Sequence, residues 1–269
     1  MAVLAHPDDE SLGFGGTLAK YASEGADVVL LTATRGDRGR YRGYALDAPE
    51  HPGPAALGEI RERELRAAAA VLGVRDVRVL DYGDQHLDRV QPREAVAQIA
   101  THLRGARPDV VVTFGPDGAY GHPDHIAISQ LTTAAIVAAA DPAFSTNGPD
   151  AAPPHAVAKL YYLAWPASTW AAYEAAFKRL VSVVDGVERQ ATPWPDWALT
   201  TIVDTRSVAS TVRRAVACHE SQMAAYERLK DLSSSFHEAV WGWQSFYRVF
   251  STVNGGRGRE TDLFEGIRE

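Results

Sequence analysis

The chain has 269 residues, enough for one large α/β domain or two small ones, with the 46% hydrophobic and 23% charged residues ordinary for a soluble protein with a sizeable core. Its 27 Lys and Arg against 34 Asp and Glu give a net charge of −7, which argues against a nucleic-acid backbone or an anionic membrane surface as partner. One cysteine, Cys218, excludes an internal disulfide and fits a cytoplasmic location. The opening MAVLAHPDDE has no basic region of a secretory signal, and no apolar run approaches the roughly 20 residues of a membrane span.

Residues 1–5 form a short apolar run that reads as a first buried strand. Residues 11–24 place Leu12, Leu18, Ala19 and Ala22 at helical spacing, and 27–33 (DVVLLTA) is a second strand. The stretch 34–56 is rich in Gly, Pro and Arg and is long for a connection, so it reads as a mobile flap. A helix over 57–72 ends at Gly73, a strand covers 77–82, and a helix over 92–103 carries Pro92 in its first turn. Residues 109–114 (DVVVTF) have the near-continuous apolar character of a strand buried on both faces, and 123–139 is again helical. After a connector at 141–154 come a strand at 159–164, a helix at 169–180, a strand at 199–204 and a long helix at 207–229. The polar, Gly-rich tail 254–269 reads as frayed. Alternating strands and helices predict an α/β fold: a Rossmann-like, mostly parallel sheet sandwiched by helices over 1–140. A smaller C-terminal α/β portion at 155–253 completes the site, all within one domain spanning 1–269.

Two clusters carry chemistry. Ala5-His6-Pro7-Asp8-Asp9-Glu10 lies where the first strand gives way to a helix, and Tyr120-Gly121-His122-Pro123-Asp124-His125 follows the fourth strand. Ligands of open parallel sheets bind outside the carboxyl ends of the strands, so both clusters fall on the binding edge. Catalytic zinc takes three N or O ligands and keeps a fourth position for water, and the two clusters supply enough imidazoles and carboxylates for that. The bland alternative, two helix caps with exposed histidines, explains Asp8 and Asp124 but not the equivalent placement of both clusters.

AHPDDE followed about 115 residues later by GHPDH resembles the PIG-L/LmbE-like de-N-acetylases. Arg61, Glu64 and Leu72-Gly73, the DYGD at Asp81 to Asp84, Ile202 to Asp204, and Cys218-His219-Glu220-Ser221-Gln222 extend the resemblance over nearly the whole chain. It implies a zinc-dependent hydrolase that removes an acetyl group from an N-acetylated amino sugar or glycoconjugate. By that resemblance His6, Asp9 and His125 hold the metal and Asp8 is the general base. His122, held by Asp124, is an acid or oxyanion stabiliser, and Tyr120 polarises the carbonyl. Arg61 and Asp84 fall at sugar-contacting positions, and Arg38 of the Arg-rich loop is a further candidate for substrate contact. The same donors would take another divalent ion such as Fe2+. A small-molecule substrate is the expected partner, with a homo-oligomer left open.

Competing readings are weaker. Gly13-Phe14-Gly15-Gly16 fails the dinucleotide fingerprint because Leu18 stands where its third glycine belongs, and the glycines suit close helix–sheet packing instead. Cys218 and His219, adjacent on a helix, do not face each other as a nucleophile pair would. His219-Glu220 lacks the second His of a zincin motif, since Met223 stands there. Trp194-Pro195-Asp196-Trp197 is the best candidate for an aromatic surface near the site. An amidase of thiol-sugar conjugates would carry Lys where Gly13-Phe14 stands. A non-catalytic glycan-binding module would have lost a ligand or the base.

Overall fold

The computed structural model describes residues 1–146, 152–176, 181–184, 186–225, 233–254 and 258–267. In chain order the first half contains β1 (Ala2–Leu4), α1 (Asp9–Leu12), α2 (Gly15–Ser23), β2 (Val29–Thr34), α3 (Pro54–Leu72), β3 (Asp76–Tyr82), α4 (Pro92–Ala106), β4 (Val110–Thr113), the short turn α5 (Gly118–Gly121) and α6 (Pro123–Ala140). The second half adds β5 (Lys159–Leu163), α7 (Ala167–Ala176), the hairpin β6 (Ser182–Val184) and β7 (Val187–Arg189), β8 (Thr201–Asp204), α8 (Ala209–Ala217), α9 (Ser234–Trp241) and β9 (Trp243–Ser251).

Seven strands form one sheet in the order β3-β2-β1-β4-β5-β9-β8. The five strands β3 to β5 pair in parallel, and β9 lies antiparallel between β5 and β8. Right-handed crossovers put α2 and α3 on one face and α4 and α6 on the other. The inner strands VLLTAT and VVVT are buried throughout, as a sheet covered on both faces requires, while the edge strand β3 is only partly buried. The strand order reverses between β1 and β4, which opens a crevice at their carboxyl ends.

Three local expectations change. The helix over 11–24 breaks at Gly13-Phe14 into α1 and α2. The long helix over 207–229 stops at Cys218, followed by a 3-10 turn at Glu220–Ala225, and 226–229 lies outside the described residues. It stops because His219 bonds to Glu10 and the Ser221 N–H and hydroxyl bond to Glu64, groups that a continued helix would turn elsewhere. The helix over 169–180 is α7, with 177–180 outside the described residues. Composition suggests a frayed 254–269, yet Glu260 and Leu263 are buried. Glu260 accepts hydrogen bonds from Lys159, Tyr161 and Thr201, which ties this segment to the sheet.

Candidate active site

Both His-rich turns reach the crevice. Asp9 opens α1 directly after β1, and its Oδ2 accepts the backbone N–H groups of Ala5 and His6 at 3.2 and 2.8 Å. Pro123 opens α6 after β4, with His125 inside its first turn. The His125 ring stacks on Phe114 at 3.9 Å between centroids, which fixes its plane.

The hydrogen-bond partners fix the tautomers. His125 Nδ1 lies 3.2 Å from the Gly118 carbonyl, which only accepts, so Nδ1 carries the proton and Nε2 is bare. His6 Nε2 lies 3.1 Å from Asp124 Oδ2 and 3.3 Å from Asp84 Oδ1, so in the neutral ring Nε2 carries the proton and Nδ1 is bare. The two bare nitrogens face each other at 3.2 Å, with Asp9 Oδ1 3.3 Å from His125 Nε2 and Asp9 Oδ2 3.6 Å from His6 Nδ1. Lone pairs and a carboxylate that converge with no donor between them make a fitting donor set for a cation. Burial alone would lower the His6 pKa, but hydrogen bonds to Asp124, Asp84 and Asp9 outweigh it and hold it well above the ordinary value. The pocket therefore favours positive charge here, a proton on Nδ1 or a metal ion in its place. Asp9 is driven the opposite way: burial would raise its pKa, and the facing His125 and His6 rings hold it well below the usual carboxylate range.

His6, His122 and His125 bring ring nitrogens within 4.8 Å of one another, and His6, Asp84 and Asp124 form a second such set. His122 differs from the other two rings. Its Nδ1 accepts from the backbone N–H of Asp124 at 3.2 Å, which puts the proton on Nε2 and makes that atom a donor. Burial and the neighbouring His125 and His6 lower its pKa to about 3. The Asp124 carboxylate, expected to support His122, lies on His6 instead and accepts N–H bonds from Gln85 and Leu87 at 2.7 and 3.1 Å. Two residues further back, Tyr120 stands 5.3 Å from the His125 ring centroid. Burial, then the charges of Asp9 and Asp8, raise its pKa, so the phenol keeps its proton.

Asp8 is the conformational oddity, a non-glycine residue at φ 101°, ψ −26°. That region costs of order 1–3 kcal/mol and persists only where the surroundings impose it. Arg61 of α3 is one such constraint: Nη2 donates to the Pro7 carbonyl and to Asp8 Oδ2 at 3.1 Å, and Nη1 donates to the Gly36 carbonyl at 2.8 Å. Gly36 permits that approach, since a Cβ there would sit 2.1 Å from Arg61 Nη1.

A cleft of about 520 Å³ gathers these groups: His6, Asp8, Asp9, Arg61, Asp84, Tyr120, His122 and His125 all line it. Asp124 alone of the expected residues is fully buried behind it. The loop 34–56 forms one wall through Arg38, Gly39, Arg40, Ala45 and Leu46. Its backbone is pinned, with the Arg38 N–H on Asp84 Oδ2 at 2.9 Å and Gln222 Nε2 on the Arg40 carbonyl at 2.8 Å. Trp165, stacked on Tyr173 at 4.3 Å, provides the aromatic wall. Trp194 does not line the cleft; it donates to Asp117 below the second His-rich turn, and Trp197 is 86% exposed. The sequence favours Trp194 and Trp197 over Trp165 and gives no sign of Tyr173, since aromatic character is the only signal any of them carries.

A sequence model of the PIG-L family, described as GlcNAc-PI de-N-acetylase, matches residues 1–136, which contain both His-rich turns. The 1D-myo-inositol 2-acetamido-2-deoxy-alpha-D-glucopyranoside deacetylase of Kineococcus radiotolerans is 37% identical over 309 residues, covering 98% of this chain and 82% of that one. The crystal structure of a conserved protein of Thermus thermophilus superposes with a TM-score of 0.65 at 25% identity, over 94% of this chain and 95% of that one. The 4-carboxy-2-hydroxymuconate hydratase of Pseudomonas putida KT2440 reaches 0.68 at 19% identity, over 95% and 98% of the two chains. That last likeness is one of fold alone, and a fold does not dictate a reaction. The match to half the chain and the 37% identity across nearly all of it show that the chain belongs to the PIG-L family of GlcNAc-PI de-N-acetylases.

Proposed function

We infer that this chain hydrolyses the acetamide of an N-acetylated amino sugar, releasing acetate and the free amine, at a divalent-metal centre held by His6, Asp9 and His125. The observation that carries the reading is the convergence of two bare imidazole nitrogens and the Asp9 carboxylate beside Asp8. Zinc is the ion proposed. When bound, it supplies Lewis-acid polarisation of the carbonyl and lowers the pKa of water from about 16 toward about 7.

The chain's own residues do the rest. Asp8 accepts the proton of the attacking water as the C–O bond forms. His122 Nε2–H, uncharged at neutral pH, donates to the developing oxyanion, and the Tyr120 hydroxyl is a second donor. Asp8 returns its proton to the nitrogen as the C–N bond breaks. Asp84 and Asp124 hold the proton on His6 Nε2, which keeps Nδ1 free to bind. Arg38 and Arg61 line the cleft and are proposed to contact the sugar and its substituent.

The cleft volume suits a small glycoconjugate, and we propose N-acetylglucosaminyl-inositol, the substrate in the relative's name, as the first compound to assay. Among the described residues no helix is long and apolar enough to cross a membrane. The test combines metal analysis of the purified protein with amine release from a panel of N-acetylated sugars and their conjugates. Metal-loaded protein that frees amine from none of them would overturn the reading.

A further inference from the structure

Glu10 and His219 play no part in the chemistry above, yet both are fully buried beside it. Glu10 Oε2 accepts the backbone N–H of Asp8 at 2.9 Å. Its other oxygen accepts from His219 Nε2 at 2.7 Å and from the Ser11 hydroxyl at 2.5 Å. His219 comes from the far half of the chain, in the turn after α8, and its Nδ1 has no partner among the described residues. The ring therefore makes one directed contact, to the carboxylate that grips Asp8.

We propose that Glu10 and His219 are positioning residues that hold Asp8 in its left-handed conformation and so aim its carboxylate into the cleft. Within the single turn α1 the Asp8 carbonyl accepts the Ser11 and Leu12 N–H groups at 3.1 and 2.9 Å, which leaves its N–H and its carboxylate to be held by side chains. Arg61 fixes the carboxylate and the Pro7 carbonyl, and Glu10 fixes the N–H between them. Three points define the orientation of one residue. His219 holds Glu10 itself, so a side chain from the C-terminal half completes the geometry of the first turn. A reacting group misplaced by 1 Å can lose on the order of 100-fold in rate.

The proposal rests on Asp8 being the base, and the experiment separates the two. Steady-state kinetics on an N-acetyl amino sugar that the wild type turns over are compared with bound metal per chain. His219→Leu is expected to lower kcat tenfold or more, with KM within twofold and metal content unchanged. His219→Gln restores an N–H at the Nε2 position and recovers most of the rate; His219→Asn, whose amide falls at the Nδ1 position, does not. A structural role alone would lower the yield or the melting point and leave kcat per folded, metal-loaded chain untouched, and that outcome overturns the proposal. Where His219→Leu fails to fold, Glu10→Gln decides the matter by the same readout, since its amide keeps the volume. If Asp8→Asn is inactive while His219→Leu is fully active, this proposal alone fails. If Asp8→Asn keeps full activity, the assignment of the base fails.

Discussion

The imidazole Nδ1 of His122 accepts a hydrogen bond from the backbone N–H of Asp124 at 3.2 Å. The cap serves two purposes: it satisfies a donor at the start of α6, and it presents Nε2–H to the cleft. His122→Ala is expected to lower kcat by about 100- to 1000-fold, the usual cost of an oxyanion donor. With its pKa lowered to about 3 by burial and by the neighbouring His125 and His6, the ring sheds its proton above that pH and stays uncharged through the working range. The variant's kcat/KM should therefore keep both limbs of the wild-type pH profile at a reduced height. An acid or alkaline limb that vanishes with the ring would show that His122 titrates in the reaction.

Asp8→Asn retains the left-handed backbone, since Asn tolerates that region as well as Asp does. It should also retain metal, because the bare nitrogens of His6 and His125 and the Asp9 carboxylate are untouched. The expected loss in kcat is about 100- to 10,000-fold, the range for a general base. Metal analysis beside the amine-release assay checks it; a variant that loses metal along with activity would place Asp8 among the ligands.

Arg38 is exposed at the mouth of the cleft, and its backbone N–H, pinned to Asp84, fixes where the side chain begins. Arg38→Ala should raise KM several-fold and leave kcat near the wild-type value, the pattern of an interaction equal in ground and transition states. A fall in kcat with constant KM would move Arg38 into the chemistry.

The two His-rich turns were legible because the residue types that bind metals and move protons sit within six-residue windows at predictable strand ends. The pairing of Glu10 with His219 was not: one stands in the first cluster and the other in a distant stretch of the resemblance, and nothing local shows that they meet across 209 residues. The full role of Asp124 is hidden for a similar reason: the sequence places the residue beside His122, which its backbone N–H holds, but only the fold shows its carboxylate reaching His6. Strand β9 escaped notice because Gln244 and Ser245 face inward, against the hydropathy pattern. Gln244 Oε1 accepts from Thr17 N–H and its Nε2 donates to the Gly13 carbonyl, so the polar group is satisfied where an apolar one was expected.

Glu260 shows the same limit at the C-terminus, where composition gives no hint of a buried anchor. Its carboxylate receives Lys159 Nζ at 2.7 Å, Tyr161 Oη at 2.7 Å, Thr201 Oγ1 at 2.8 Å and Arg248 Nη1 at 2.7 Å. Burial would raise its pKa, but the hydrogen bonds of Lys159 and Tyr161, followed by those of Asn254 and Thr201, hold it down to about 2. A depressed carboxylate contributes stability that is present above its unfolded pKa of about 4.3 and lost as pH falls toward its folded value. Glu260→Gln should therefore be less stable than wild type at pH 7, with the gap narrowing between about pH 4.5 and 2. Urea denaturation at several pH values measures it; a gap that does not change with pH would mean the carboxylate's charge plays no part.

Gly16 tests the packing that the glycine run after β1 implies. A Cβ at this position in α2 would lie 2.7 Å from Thr205 Cβ, closer than packed carbons approach. Thr205 cannot give way easily, since its hydroxyl donates to the Trp241 carbonyl at 2.6 Å and its N–H to the Gly242 carbonyl at 2.9 Å. Gly16→Ala should thus destabilise the fold by about 1–3 kcal/mol through overpacking. Gly258→Ala is the control: a Cβ there meets nothing within 4 Å, and its effect should stay within about 0.5 kcal/mol. Thermal melts of the two variants beside wild type decide the matter. Equal melting points would mean that α2 and the Thr205 turn slide apart at little cost, and that the glycine run is not there for close packing.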